Sequence, residues 1–376
     1  MAAGSESTTG ADAADAADAS EASVPARLRL TETDLARHLG ISRATVSRAL
    51  YGSGRVSDAT RERVIAAADE LGFVPNMMAS ELAAGRSKLI GLLLRDSTNP
   101  VYGQLFDSLQ TAAHARGMEL VSVTATHDGD GRAQMSGLRR LLGMRVAGLI
   151  IATGDVPSEQ LLPFSGDVPM IRAGRPEPHD TINAVSYDEE LHGRMLADHL
   201  FLLGHRRIAV VTPSAEVSYP EWSRAVAMAD RLASLGAVLS IVPAVAQTDG
   251  VEAALDEVVA GRVSAIMCPT DLRQLEVLRA AAARGIRVPE DVSVTGCDGL
   301  LHGSDLLGLT TVRLPVEALA VRTIERMAEL LAAPAAGPAA GSVAGSVTGP
   351  APIVSAAPIH DILPGTLIPG ATTAPV

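Results

Sequence analysis

The sequence predicts a small all-α segment followed by a larger α/β body built on parallel sheets. Three observations carry that prediction. Between residues 28 and 71, apolar stripes recur at helical spacing between glycine-bearing turns. From Leu89 onward, fully apolar runs of strand length alternate with helical patterns, as strands buried on both faces of a parallel sheet do. At 376 residues, 47% of them hydrophobic, the chain has room for two or three domains with substantial cores.

Residues 1–26 repeat Ala-Ala-Asp and hold no bulky apolar side chain before Val24, so they are read as a disordered acidic tail. Thr31-Glu32-Thr33-Asp34 fits a capping box, and Leu35, Ala36 and Leu39 give the helix that follows its apolar stripe. Gly40 suits a left-handed turn. Ser42 caps a second helix that buries Val46, Ala49 and Leu50 and turns Arg43, Ala44, Thr45, Ser47 and Arg48 outward. A third starts at the Ser57 cap and carries Val64, Ala67, Ala68 and Leu71. Two short helices joined by a tight turn form a helix-turn-helix. Its outward face suits DNA, with arginines able to fork onto base edges and small hydroxyls near the helix start. A three-helix mini-domain with solvated arginines is the alternative.

Leu89–Leu94 begins the first strand, and Gly148–Ile151, Ile208–Val211, Ala265–Cys268 and Val292–Gly296 continue the alternation to about Ala333. Residues 334–358 are an Ala/Pro/Gly linker insertion, and Ile362 to Ile368 is read as one last strand before the tail. The apolar runs containing Leu, Ile and Val stop short of the ~20 residues a membrane span needs. The start, MAAGSESTTG, has neither a basic nor an apolar export region, so a cytoplasmic protein with Cys268 and Cys297 reduced is expected.

The formal charge of −12 argues at first against nucleic acid. It is segregated, however. Residues 1–26 hold five acids and no base, residues 27–88 hold ten bases against seven acids, and the remainder has 21 bases against 31 acids. Catalytic signatures are lacking: the nine histidines form no H-E-x-x-H, neither cysteine has a C-x-x-C partner, and Gly52-Ser53-Gly54 follows a helix and lacks the third glycine of a dinucleotide loop. The expectation is no enzyme, no cofactor and no metal. Cys268 and Cys297 end neighbouring strands, which leaves a redox pair or two buried apolar side chains open.

Thr33 to Leu50, with its A-T-V-S-R core, then Gly54-Arg-Val-Ser57, Arg61-Glu-Arg-Val64 and Leu71-Gly-Phe-Val-Pro-Asn76, resemble the headpiece of the lactose-repressor (LacI/GalR) family of bacterial regulators. The resemblance runs from about Leu30 to Ala333 and resumes at Leu363. It implies a tail at 1–26, a DNA-binding domain at 27–74, a hinge helix and linker at 75–88, and at 89–333 a periplasmic-binding-protein-like sensor of two Rossmann-like lobes. Residues 359–376 return the final strand. Arg43, Ala44 and Arg48 would face bases, and Ser42, Thr45, Ser47 and Asn76 phosphates. Ala79 and Leu82 would enter the minor groove at the operator centre and kink it.

Ile90 to Pro100, Gly204 to Ala209 and Val294 to Asp298 match further blocks of the family's sensor. Ligand would lie in the interlobe cleft, beyond the carboxyl ends of the strands. Val101 and Tyr102 follow the first strand there, Arg224 and Asp298 match the family's ligand-binding arginine and aspartate, and Thr270 stands where Asn usually precedes Asp271. Only nine residues are aromatic, and Tyr102, Tyr187, Tyr219 and Trp222 all fall near the expected cleft, where ring faces suit a sugar or a base. Gly174, Gly299 and Leu314 replace polar groups common in the family, which points to a smaller or less polar ligand or to a site that has drifted. The resemblance implies a repressor that binds near-palindromic double-stranded operator DNA as a homodimer and is controlled by a sugar-like effector. A cytoplasmic solute-binding or sugar- or nucleoside-processing protein is the alternative.

Overall fold

The structure is a computed structural model and describes residues 30–51, 55–74, 88–96, 98–125, 131–166, 168–245, 249–333 and 358–376. The chain divides into two compact units, residues 1–84 and 85–376.

The first unit holds helices α1 (Glu32–Leu39), α2 (Arg43–Tyr51) and α3 (Asp58–Leu71). The capping box forms as the sequence requires: Asp34 N donates to the Thr31 hydroxyl at 3.3 Å, and Asp34 Oδ2 accepts from Thr31 N at 3.0 Å. Gly40 closes α1 at φ 65°. Leu35, Ala36, Val46, Ala49, Val64, Ala67, Ala68 and Phe73 make one buried core.

The second unit has two lobes. The first is a six-stranded parallel sheet in the order β11-β5-β4-β3-β1-β2, formed by β1 (Leu89–Leu94), β2 (Glu119–Thr124), β3 (Gly148–Ala152), β4 (Met170–Ala173), β5 (Asn183–Tyr187) and β11 (His360–Leu363). The second is a four-stranded parallel sheet, β7-β6-β8-β9, from β6 (Arg207–Pro213), β7 (Val238–Ala244), β8 (Ala265–Met267) and β9 (Ser293–Thr295). The central strands are buried on both faces: along β1, Ile90, Leu92 and Leu94 face one core and Leu93 the other.

The chain passes between the lobes three times. It leaves β5 for α7 (Glu189–Leu202), returns from β10 (Thr311–Arg313) to α11 (Val316–Ala332), and leaves β11 for β12 (Thr366–Ile368), which pairs antiparallel with β10. The single last strand expected over Ile362–Ile368 is thus two strands in different sheets. Pro364 has no N–H to continue a ladder. Gly365 sits where a Cβ would come within 2.7 Å of both the Arg313 carbonyl oxygen and His192 Nε2.

Along β8 and β9 the cysteines part: Cys268 faces the core that holds Ile266, Cys297 the core on the opposite face that holds Met267. Both are free and buried, and burial pushes the Cys268 thiol up to about 12. They behave as small apolar side chains. Among the described residues no helix is long and apolar enough to cross a membrane.

Candidate functional sites: the helix-turn-helix face and the interlobe cleft

Ser42, Arg43, Ala44 and Arg48 are exposed on α2 and Thr45 and Ser47 half-exposed, while Val46 and Ala49 point into the core. The Ser42 hydroxyl accepts from Thr45 N at 3.1 Å and so caps α2. Arg43 Nε bonds Glu32 Oε2 at 3.1 Å, and Arg48 Nη2 donates to the Thr45 hydroxyl at 3.3 Å. These contacts are on the surface, where water and phosphate compete with them freely. Asn76, Ala79 and Leu82 lie outside the described residues.

In the second unit a cleft opens beyond the strands' carboxyl ends. Val101, Tyr102, Arg224, Thr270 and Asp298 all line it. Val101 and Tyr102 enter through the first turn of α4 (Pro100–His114), whose Asn99 cap accepts from Val101 N at 3.0 Å. Arg224 comes from α8 (Tyr219–Ser234). Thr270 caps α10 (Asp271–Ala283), so part of its hydroxyl's capacity is already used. Pro220, Glu221 and Arg224 line the cleft from α8, and Trp222 packs against the Tyr219 ring, with centroids 5.4 Å apart.

Arg224 is buried and fixed on three sides. Its Nε donates to Glu189 Oε2 at 2.7 Å, its Nη1 donates to the Pro269 carbonyl, and Asp298 Oδ1 lies 3.6 Å from Nη1. Burial opposes its charge, yet the neighbouring carboxyls of Glu189 and Asp298 hold it well above its ordinary value. Burial likewise opposes the Glu189 carboxylate, and Arg224 with His192 holds it below the usual range. His192 Nε2 accepts from Gly365 N at 2.7 Å, so its proton is on Nδ1, 3.6 Å from Glu189 Oε2. This chain of contacts runs from the cleft to the β11–β12 crossover. Asp298 differs: burial pushes its carboxyl well above the usual range, beyond what Arg224 offsets. Its backbone holds φ 133°, an arrangement that costs a non-glycine residue about 1–3 kcal/mol. Asp298 N and O bond Val312 O and Leu314 N, both at 3.0 Å, and this pairing keeps the strained residue at the cleft.

Sequence reasoning missed Thr153 and Glu189. With Tyr187 they carry unused capacity: Thr153 Oγ1, Tyr187 Oη and Glu189 Oε1 belong to residues that line the cleft, are buried, and have no hydrogen-bond partner among the described residues. A buried polar atom without a partner costs about 1–3 kcal/mol, so three around one cavity mark a place where water or a ligand completes the bonding. Thr153 follows β3 and Glu189 follows β5, the strand-end positions where such sheets bind, and that was the available signal. The replaced polar groups have local causes. A Cβ on Gly174, at φ 77°, would meet the Tyr187 ring at 3.3 Å, and one on Gly299 would meet Arg313 Cα at 2.6 Å.

The lobes touch at the cleft mouth. Tyr219 N donates to Gly154 O at 3.1 Å, and the Arg175 guanidinium lies over the Tyr219 ring, 4.5 Å from its centroid. The space left inside is about 50 Å³, room for a few waters.

A helix-turn-helix with a free polar face, carried by a chain that also folds a two-lobed ligand cleft, defines the class of two-part bacterial regulators. Residues 31–76 match the family described as bacterial regulatory proteins, lacI family, and residues 197–347 match the periplasmic binding protein-like domain. The transcriptional regulator CelR of Thermobifida fusca is 31% identical over 331 residues, covering 80% of this chain and 94% of the relative. The maltose regulon regulatory protein MalI of Escherichia coli (strain K12) is 39% identical over 183 residues, 48% of this chain and 53% of the relative. Among solved structures, the lac repressor dimer bound to operator and the anti-inducer ONPF superposes with a TM-score of 0.74 at 24% identity, covering 92% of this chain and 99% of that one. A CelR–cellobiose complex superposes with a TM-score of 0.61 at 26% identity, covering 92% and 100%. The chain belongs to the lacI family of bacterial regulatory proteins.

Proposed function

We infer that the chain is a sequence-specific DNA-binding transcriptional regulator, a repressor, whose operator affinity is set by a small polar ligand, a sugar or related metabolite, held in the interlobe cleft. The observation that carries the DNA side is the division of α2: Val46 and Ala49 in the core, and Ser42, Arg43, Ala44 and Arg48 free to meet a major groove. The unsatisfied atoms of Thr153, Tyr187 and Glu189 carry the ligand side. Cellobiose bound to CelR supports the ligand class.

The chain acts as a homodimer in the cytoplasm, because one headpiece of this size reads only a half-site and two-fold pairing matches a near-palindromic operator. On this reading Asn76 meets a phosphate, and Ala79 and Leu82 enter the minor groove at the operator centre. Ligand that favours one lobe arrangement over another shifts the population competent for DNA. None of these steps needs a catalytic group.

Selection of duplexes from a randomised library by the full chain tests the reading. Enrichment of one near-palindromic sequence is expected, and recovery of an unenriched pool contradicts it.

A further inference from the structure

The charge of the cleft narrows the class of ligand, given the reading of that cleft as a ligand site. Among the described residues, three carboxyl groups, those of Glu189, Glu221 and Asp298, line it against one guanidinium, that of Arg224. That guanidinium already donates to Glu189 Oε2 and to the Pro269 carbonyl, and it stands 3.6 Å from Asp298 Oδ1, beyond a direct hydrogen bond. The second oxygen of Glu189 is buried without a partner. An ionised carboxylate oxygen only accepts, so the ligand group that meets it must donate. The Tyr187 and Thr153 hydroxyls turn either way and accommodate hydroxyls of either sense.

Charge separates the remaining candidates. A neutral polyol satisfies the acceptors but leaves the Asp298 carboxyl, whose charge burial already opposes, without added compensation. A phosphate ester or carboxylate adds further negative charge. We propose that the cleft takes a ligand with a protonated amine beside sugar hydroxyls, an amino sugar, whose cation lies between Glu189 and Asp298 and whose hydroxyls reach Tyr187 and Thr153. The strained backbone that holds Asp298 at the cleft fits this role, since a ligand cation adds to the partial compensation that Arg224 gives from 3.6 Å.

The test is the thermal midpoint of the sensor transition in the full chain, titrated with hexoses, their 2-amino derivatives and their phosphate esters as matched series. A ligand bound only by the folded state raises that midpoint. At least one amino sugar is expected to act at roughly tenfold lower concentration than its neutral parent, with its phosphate ester silent. Glu189→Gln should erase that preference. Because this variant also strips Arg224 of its partner, Glu221→Gln is the companion, with the amine-over-neutral ratio expected to shrink by roughly tenfold. A neutral or phosphorylated hexose acting at equal or lower concentration overturns the amine assignment and sustains the ligand cleft. Silence of all three series, or an unchanged ratio in Glu221→Gln, also overturns it. Duplex selection judges the regulator reading independently.

Discussion

The DNA-facing helix and the ligand cleft solve opposite problems. The helix-turn-helix needs about forty consecutive residues, keeps its working side chains in water, and satisfies every cap locally through Thr31, Ser42 and Ser57. The cleft gathers residues from Asn99 to Leu314, buries them, and leaves polar atoms without partners. A reader of an exposed polyanion can wait hydrated, whereas a receptor for a small polar molecule must exclude water and hold unmet bonding capacity in readiness. Stability is therefore at its cheapest in one region and deliberately incomplete in the other.

Substitutions sharpen that contrast. The largest effect is expected from Arg224→Met, which leaves the buried carboxylates of Glu189 and Asp298 without their shared cation. Loss of about 3–5 kcal/mol from the sensor's unfolding free energy in urea is expected. Equal stability of the variant would show that the network is not structural. In the other region Leu35→Ala empties a fully buried core site and should cost about 3 kcal/mol, melting the headpiece and abolishing DNA binding while thermal titration of the cleft is unchanged.

Smaller effects follow from groups that work in water. Arg43→Ala and Arg48→Ala should each weaken operator binding by about 1–3 kcal/mol and relax specificity at defined positions, with the melting temperature unaltered. An unchanged binding profile would remove the base-reading role. The smallest change, and one of opposite sign, is expected at Asp298. Its folded value is raised by burial above the unfolded one, so the stability it contributes is full below the ordinary carboxylate range and is lost as pH rises toward that raised value. Asp298→Asn should then melt at a higher temperature than the parent near neutral pH, with the gain vanishing in acid, and asparagine also tolerates positive φ better. A variant less stable at neutral pH would contradict this balance.

The same contrast explains what was legible in the sequence. Helix starts, the Gly40 turn and the buried faces of α1 to α3 are local properties, written within four residues of the groups they involve, and the structure places them as the pattern requires. The parallel strands were readable because burial on both faces leaves runs such as Leu89–Leu94 fully apolar. The final strand was misread although Pro364-Gly365 interrupts Ile362–Ile368, because which sheet each half joins depends on the distant strands β5 and β10. In the cleft, Arg224, Asp298, Thr270, Val101 and Tyr102 came from motif resemblance. Thr153 and Glu189 escaped because a threonine after a strand and a glutamate in a helix's first turn are ordinary there, and only the fold reveals that each keeps an oxygen unpaired. Trp222 was assigned by its rarity, and in the fold it packs against Tyr219.

The charge of −12 also takes a definite meaning in this frame. The acidic body and tail oppose non-specific adhesion to DNA, so under the proposed function affinity comes from the short-range contacts of α2, doubled by the proposed pairing of two chains.

That the cleft controls the DNA reader is tested most directly by the operator affinity of the full chain, measured on the selected duplex with the cleft empty and with it saturated. A change in Kd of about 5- to 150-fold is predicted, the range of typical coupling between two sites on one protein. An operator Kd that stays the same while the ligand demonstrably fills the cleft would contradict the account.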